Sequence, residues 1–152
     1  MQSFYFHTES PLSGVTISIT GIPPTTGTFT GTTSTDGFFL KHDLPYGTYT
    51  VSASSSKLWA GANATDALIV AGHFAGIQTL SGLKLEAADV NNNGIANNTD
   101  ALLILKRFTD NSVLFAKGSW IFESKTVTIL GFILSVNIKG IAVGDVNGSD
   151  SP

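Results

Sequence analysis

Apolar and polar residues alternate along the chain from Leu12 to Ser56. Val15, Ile17 and Ile19 stand against Thr16, Ser18 and Thr20, and Tyr49, Val51 and Ala53 repeat the pattern. A period of two is that of a strand with one buried face. Turn signals separate the runs: Pro23-Pro24, Asp36-Gly37 ahead of Phe38-Phe39-Leu40, and Pro45-Tyr46-Gly47, each supplying a preset or tolerated backbone angle. The stretch predicts an antiparallel sandwich lobe.

After Lys57 the period lengthens. Ala67, Leu68, Val70, Ala71 and Phe74 fall on one helical face, as do Ala101, Leu102, Ile104, Leu105 and Phe108, so two amphipathic helices are expected. They are an internal repeat: Asn63-Ala64-Thr65-Asp66-Ala67-Leu68 aligns with Asn97-Asn98-Thr99-Asp100-Ala101-Leu102, and Phe74 falls on Phe108. A spacing of about 30 to 35 residues suits a solenoid, but two copies are too few, and a paired-helix unit is the better reading.

Strand character returns in Trp120-Ile121-Phe122, in Val127 and Ile129, in Phe132, Leu134, Val136 and Ile138, and in Ile141 and Val143. An isolated hairpin is marginal in water, so these strands are expected to extend the N-terminal sheet. The expected class is α+β, an antiparallel β-sandwich with an inserted EF-hand-like helix pair. Residues 1–56 and 118–143 would form the sandwich, 57–117 the helix pair and 144–152 a tail.

Composition narrows the function. Only 12% of the 152 residues are charged, and Thr, Ser, Asn and Gly are abundant, which suits an extracellular β-rich module. A net charge of −3 with scattered Lys and Arg gives no field for phosphates, so nucleic acid is not an expected partner. With no cysteine there are no disulfides or thiolate sites, and a metal is an alternative staple. The opening MQSFYFHTES lacks a basic start and an apolar segment and does not read as a signal peptide. No apolar run approaches the ~20 residues that cross a membrane.

The run DVNNNGIANNTD, Asp89 to Asp100, carries the candidate chemistry. Oxygen-bearing residues occupy loop positions 1, 3, 5, 9 and 12, and Gly94 occupies position 6, as an EF-hand loop requires. Calcium is a hard cation that takes six to eight oxygens. Asp89, Asn91, Asn93, the carbonyl of Ile95, Asn97 and Asp100 would supply them. Asp100 stands where a Glu is usual, and only two side-chain ligands are charged, so the expected affinity lies at roughly 10⁻⁴ to 10⁻³ M. The competing account is an Asn-Gly turn followed by a helix cap from Asn97, Thr99 or Asp100.

DVNNNGIANNTDALLILKRF resembles the calcium repeat of type I dockerins, including the Lys106-Arg107 pair. That resemblance implies a calcium-stabilised module that docks onto a cohesin-like protein and anchors a larger secreted or cell-surface bacterial protein. It also makes loop positions 10 and 11, here Ala64, Thr65, Asn98 and Thr99, together with Lys106 and Arg107, candidates for partner contact. Leu44-Pro45-Tyr46-Gly47-Thr48-Tyr49-Thr50-Val51, after Thr33-Ser34-Thr35-Asp36-Gly37, resembles the carboxypeptidase-regulatory-like or Cna B-type sandwich of bacterial surface proteins, usually a stalk or spacer.

The first repeat keeps only the later half of its loop, Asn63 and Asp66. Ser55, Lys57 and Trp59 stand where its first ligands belong, and a Lys or a Trp cannot ligate calcium. Gly144-Asp145-Val146-Asn147-Gly148-Ser149 repeats the opening of the intact loop with no later half. The two halves together suggest a split second site: Asp145, Asn147 and Ser149 at positions 1, 3 and 5, the carbonyl of Gly61 at 7, Asn63 at 9 and Asp66 at 12. One or two calcium ions are therefore expected. Against this, Asp, Asn, Gly, Ser and Pro are also linker residues.

His7, His42 and His73 show no ligand or triad spacing, and no G-x-S-x-G elbow or glycine-rich phosphate loop is present, so no enzyme is expected. Trp59 and Trp120 could stack on sugars, which keeps a carbohydrate-binding module as an alternative, but packing at element boundaries is preferred. A purely structural spacer of a surface adhesin is the other alternative.

Overall fold

The computed structural model describes residues 2–5, 10–58, 61–131 and 134–149. His7, Trp59 and Phe132 lie outside them. In chain order the elements are β1 (Gln2–Tyr5), β2 (Thr16–Gly21), β3 (Thr28–Thr32), β4 (Gly47–Ser54), α1 (Ala64–Phe74), α2 (Gly82–Ala88), α3 (Asn98–Thr109), β5 (Trp120–Phe122), β6 (Lys125–Ile129) and β7 (Asn137–Ala142). The protein is a mixed structure of helices and two sheets, one antiparallel and one mixed.

The alternation in β2 translates directly: Ile17 and Ile19 are buried, Thr16 and Thr20 exposed. β2 pairs antiparallel with β3 and β4, which sets Ile19 opposite both Phe29 and Val51. β6 pairs with the far side of β4, with Tyr49 opposite Val127, and completes the order β3-β2-β4-β6. A late strand thus joins the early sheet, and all three helices lie in sequence between two hydrogen-bonded neighbours.

The other late strands do not extend that sheet. β5 and β7 pair with each other, and β7 pairs parallel with β1, giving a second sheet of order β1-β7-β5. The residues from Ile138 to Val143 divide between one strand and the turn that follows it, and Phe38-Phe39-Leu40 forms no strand, with Phe38 and Leu40 exposed.

Tyr49 anchors the first sheet. Its ring is fully buried, and its hydroxyl donates to the Pro45 carbonyl at 2.9 Å, which satisfies the one polar atom such burial would strand. Gly47 makes the approach possible. Its φ is +151°, and a Cβ there would lie 2.0 Å from Thr25 Oγ1, the atom that accepts the N–H of Thr48. The Leu-Pro-Tyr-Gly-Thr-Tyr run is therefore a turn that closes on its own core tyrosine.

The helical segment departs from the expected pair by one element, the short helix α2. The apolar faces of α1 and α3 are also narrower than the pattern suggests. Ala67 and Val70 on α1 and Ala101 and Ile104 on α3 are buried, and the two helices pack on each other. Leu68 (72% exposed), Phe74 (58%), Leu102 (55%) and Phe108 (55%), placed on the inner face by the periodicity, turn outward. Each Leu follows its buried Ala by one residue, about 100° around the helix, and an Ala–Val stripe suffices for close helix contact. Buried apolar residues form one cluster from Ile17 and Tyr49 in the first sheet through Ile138 and Ile141 in the second to Val70 and Ile104 in the helices. No helix among the described residues is long and apolar enough to cross a membrane.

Candidate metal centre

Residues 89–100 wrap into α3, and backbone amides aim the loop's oxygens. Asp89 Oδ1 accepts from Asn93 N and its Oδ2 from Gly94 N, both at 3.0 Å. Asn91 Oδ1 accepts from Asn93 N at 3.0 Å, and Asn93 Oδ1 from Ile95 N at 2.9 Å. Asp100 closes the circle: its Oδ1 accepts from Asn91 N at 3.1 Å and its Oδ2 from Asn97 N at 3.0 Å. Two residues have left-handed backbone, Asn92 at φ +57° and Gly94 at φ +88°. This keeps the chain turning about the side-chain oxygens.

The helix cap of the competing account is present within the same loop. Asn97 Oδ1 accepts from Thr99 N at 2.7 Å, and the Asp100 bond to Asn97 N completes a capping box. Cap and oxygen ring share residues because a carboxylate or carboxamide oxygen that takes one amide proton keeps a lone pair for a second partner.

The chain builds this network a second time from two distant segments. Asn147 N donates to Asp66 Oδ1 at 3.0 Å, as Asn91 N does to Asp100. Asn63 N donates to Asp66 Oδ2 at 2.9 Å, and Asn63 Oδ1 accepts from Thr65 N at 2.8 Å, a second capping box. Ser149 N donates to Asp145 Oδ1 at 3.0 Å and to Asn147 Oδ1 at 2.8 Å, matching both bonds of Asn93 N. Asn63 Nδ2 donates to the Gly61 carbonyl at 2.9 Å, as Asn97 Nδ2 does to Ile95 at 3.2 Å.

The correspondence extends to the backbone and the interior. Gly148 has φ +71° at the loop position where Asn92 has +57°. Val146 is buried as Val90 is, and Ala62 as Ala96 is. The one substituted donor is Ser149, where a hydroxyl replaces the carboxamide of Asn93. Ser149 Oγ donates to the Gly61 carbonyl at 3.1 Å and stitches the tail directly to the approach to α1.

The chemistry of both donor sets fits a hard cation. Each loop offers two carboxylates, with amide, hydroxyl or carbonyl oxygens for the rest, and no three His, Cys, Asp or Glu side chains cluster among the described residues. All four carboxylates, Asp66, Asp89, Asp100 and Asp145, are buried. Burial pushes the Asp66 carboxyl above its ordinary value, while N–H donors from Asn147, Asn63 and Val146 pull the other way. A buried carboxylate is costly unless paired, and a divalent ion is a partner that oxygens alone can hold.

The residues expected at a partner surface are mostly available. Ala64, Thr65, Asn98, Thr99 and Lys106 are exposed. Arg107, expected at that surface, is buried instead. It turns inward, donates to the Val113 carbonyl, and sets its guanidinium 5.5 Å from the Phe115 ring centroid. The helical period explains this, because Arg107 follows Ile104 by three residues on the buried face. His73 Nδ1 accepts from Leu80 N at 3.1 Å, an intramolecular role, and His42 is exposed. Trp120 is half-buried and stacks on Phe122 with centroids 6.2 Å apart, part of the apolar packing of β5.

Lys117 was not singled out by the sequence. Its ammonium lies 3.3 Å from Asp89 Oδ2, and nothing in its sequence neighbourhood signals a contact made 28 residues away.

No curated protein and no solved structure matches the chain. Residues 62–109 match the family model of the dockerin type I domain. The matched segment contains the whole intact loop, α1, α2 and α3, and enters the split loop only after Gly61.

Proposed function

We propose that the protein is a calcium-stabilised, non-catalytic docking module of the dockerin kind, serving a larger secreted or cell-surface bacterial protein, with a cohesin-like protein as partner. The observation that carries this reading is the duplicated network. Asp89, Asn91, Asn93, Ile95, Asn97 and Asp100 form the first calcium site. Asp145, Asn147, Ser149, Gly61, Asn63 and Asp66 form the second, which would be filled by the tail returning to α1. The family match of 62–109 and the fit of both oxygen sets to a hard cation support it.

Calcium acts structurally in this reading. It offsets the repulsion between paired buried carboxylates and so fixes how α1 and α3 are displayed. The docking surface comprises Ala64, Thr65, Asn98, Thr99 and Lys106, with the outward Leu68, Phe74, Leu102 and Phe108 beside them. Exposed apolar groups in such number on adjacent helices suit a protein partner. The strand-rich remainder is proposed as a sandwich of the Cna B type, acting as the platform into which the helices are inserted.

Calorimetric calcium titration of the chelator-treated protein, with Asp89→Ala and Asp145→Ala alongside, tests the reading. Two binding events, each lost with one variant, are expected. Indifference of the wild-type protein to calcium in both titration and melting would end it.

A further inference from the structure

The connection from α3 to β5 lays one lysine against the intact loop. Lys117 Nζ lies 3.3 Å from Asp89 Oδ2, with the lysine side chain 17% and the aspartate side chain 7% exposed. The main chain places it there. Lys117 N donates to the Val90 carbonyl at 3.2 Å, one residue from Asp89, and Gly118 N donates to the Phe115 carbonyl at 3.1 Å. Phe115 is buried beneath the Arg107 guanidinium, and Arg107 is itself bonded to the Val113 carbonyl. A lysine anchored in this way is not the freely rotating partner of a surface ion pair.

We infer that Lys117 is a resident counter-cation of the Asp89–Asp100 loop, one that steadies the ion-free loop and lowers its affinity for calcium. The inference rests on the calcium reading of that loop. Asp89 divides its oxygens: Oδ1 takes the N–H of Asn93, while Oδ2 takes the N–H of Gly94 and the ammonium. With no ion bound, the ammonium offsets part of the charge of Asp89. A calcium ion held by the same carboxylate meets a fixed positive charge a few ångströms away, where solvent screening is incomplete. Both effects oppose entry of the ion. Lys117 is therefore a tuning residue for the site rather than a ligand.

The two states respond with opposite signs, which separates this role from that of a packing contact. The full-length chain is titrated calorimetrically with calcium and melted both in chelator and at saturating calcium, as wild type, Lys117→Met, Lys117→Gln and Lys117→Arg. Lys117→Met is expected to tighten one class of sites by roughly three- to thirtyfold, to leave the other unchanged, and to lower the melting temperature in chelator. Lys117→Gln keeps a donor to Asp89 without the charge and should show the same tightening even if the methionine variant folds poorly. Lys117→Arg should bind like the wild type.

Unchanged or weaker calcium binding by both neutral variants, with Asp89→Ala still abolishing one site, would overturn this inference alone. A wild-type protein that takes up no calcium would remove the underlying reading and this inference together.

Discussion

The backbone N–H of Asn147 donates to Asp66 Oδ1 at 3.0 Å across 81 residues of sequence, and the N–H of Asn91 makes the corresponding bond to Asp100 across nine. One bonding pattern thus serves a local turn and a long-range junction. Amide hydrogen exchange should register the difference. Saturating calcium is expected to slow exchange at Asn147, Gly148 and Ser149 as well as at Asn91 and Asn93. In Asp66→Ala the tail amides should exchange at their chelator rate while Asn91 and Asn93 stay protected. Protection of the tail that survives this substitution would contradict the junction.

Gly94 tests the backbone of the intact loop. Its φ is +88°, and a Cβ added there meets nothing within 4 Å, so alanine costs backbone strain without a clash. Gly94→Ala should lose about 1–2 kcal/mol in denaturant unfolding and weaken one calcium site. A variant as stable as the wild type would show that the left-handed turn is not demanded.

Tyr49 separates ring burial from hydroxyl bonding. Tyr49→Phe removes only the donation to Pro45 and should cost roughly 0.5–1.5 kcal/mol, whereas Tyr49→Ala should cost about 3–5 kcal/mol through the cavity it leaves. Urea unfolding of the two variants checks the order, and equal losses would mean that the ring contributes little.

The outward leucines are a separable surface. Leu68→Ser with Leu102→Ser should change unfolding free energy by no more than about 0.5 kcal/mol per site, while Ile104→Ala should cost about 2–5 kcal/mol. The same double variant is expected to weaken capture by a cohesin-like partner. A large stability loss from the leucine pair would place those side chains inside.

How much of this was legible follows from where the information lies. The loop from Asp89 to Asp100 is contiguous and governed by local spacing, so its turn, cap and oxygen order could be read off directly. Alternation placed Ile17, Ile19, Tyr49 and Val51 in the core for the same reason. The split loop was legible only because two incomplete motifs complement one another. What the sequence concealed depends on contacts distant in the chain: the parallel pairing of β1 with β7, the placement of Lys117 over Asp89, and the choice of the Ala67–Val70 stripe over the Leu68–Phe74 face. Helical periodicity marks every apolar residue on a broad arc, and only the neighbouring helix decides which part of that arc is covered. Arg107 fell on the buried part, and its charge gave no hint of it.

Asp66 and Asp145 impose an order of assembly during synthesis. On the proposed calcium reading, the intact loop could take up an ion as soon as its twelve residues have left the ribosome, while the other would wait until Ser149 emerges, with Gly61 and Asp66 already exposed and unmatched. Between the emergence of Asp100 and that of Ser149 the nascent chain would carry one finished ion trap and one open jaw.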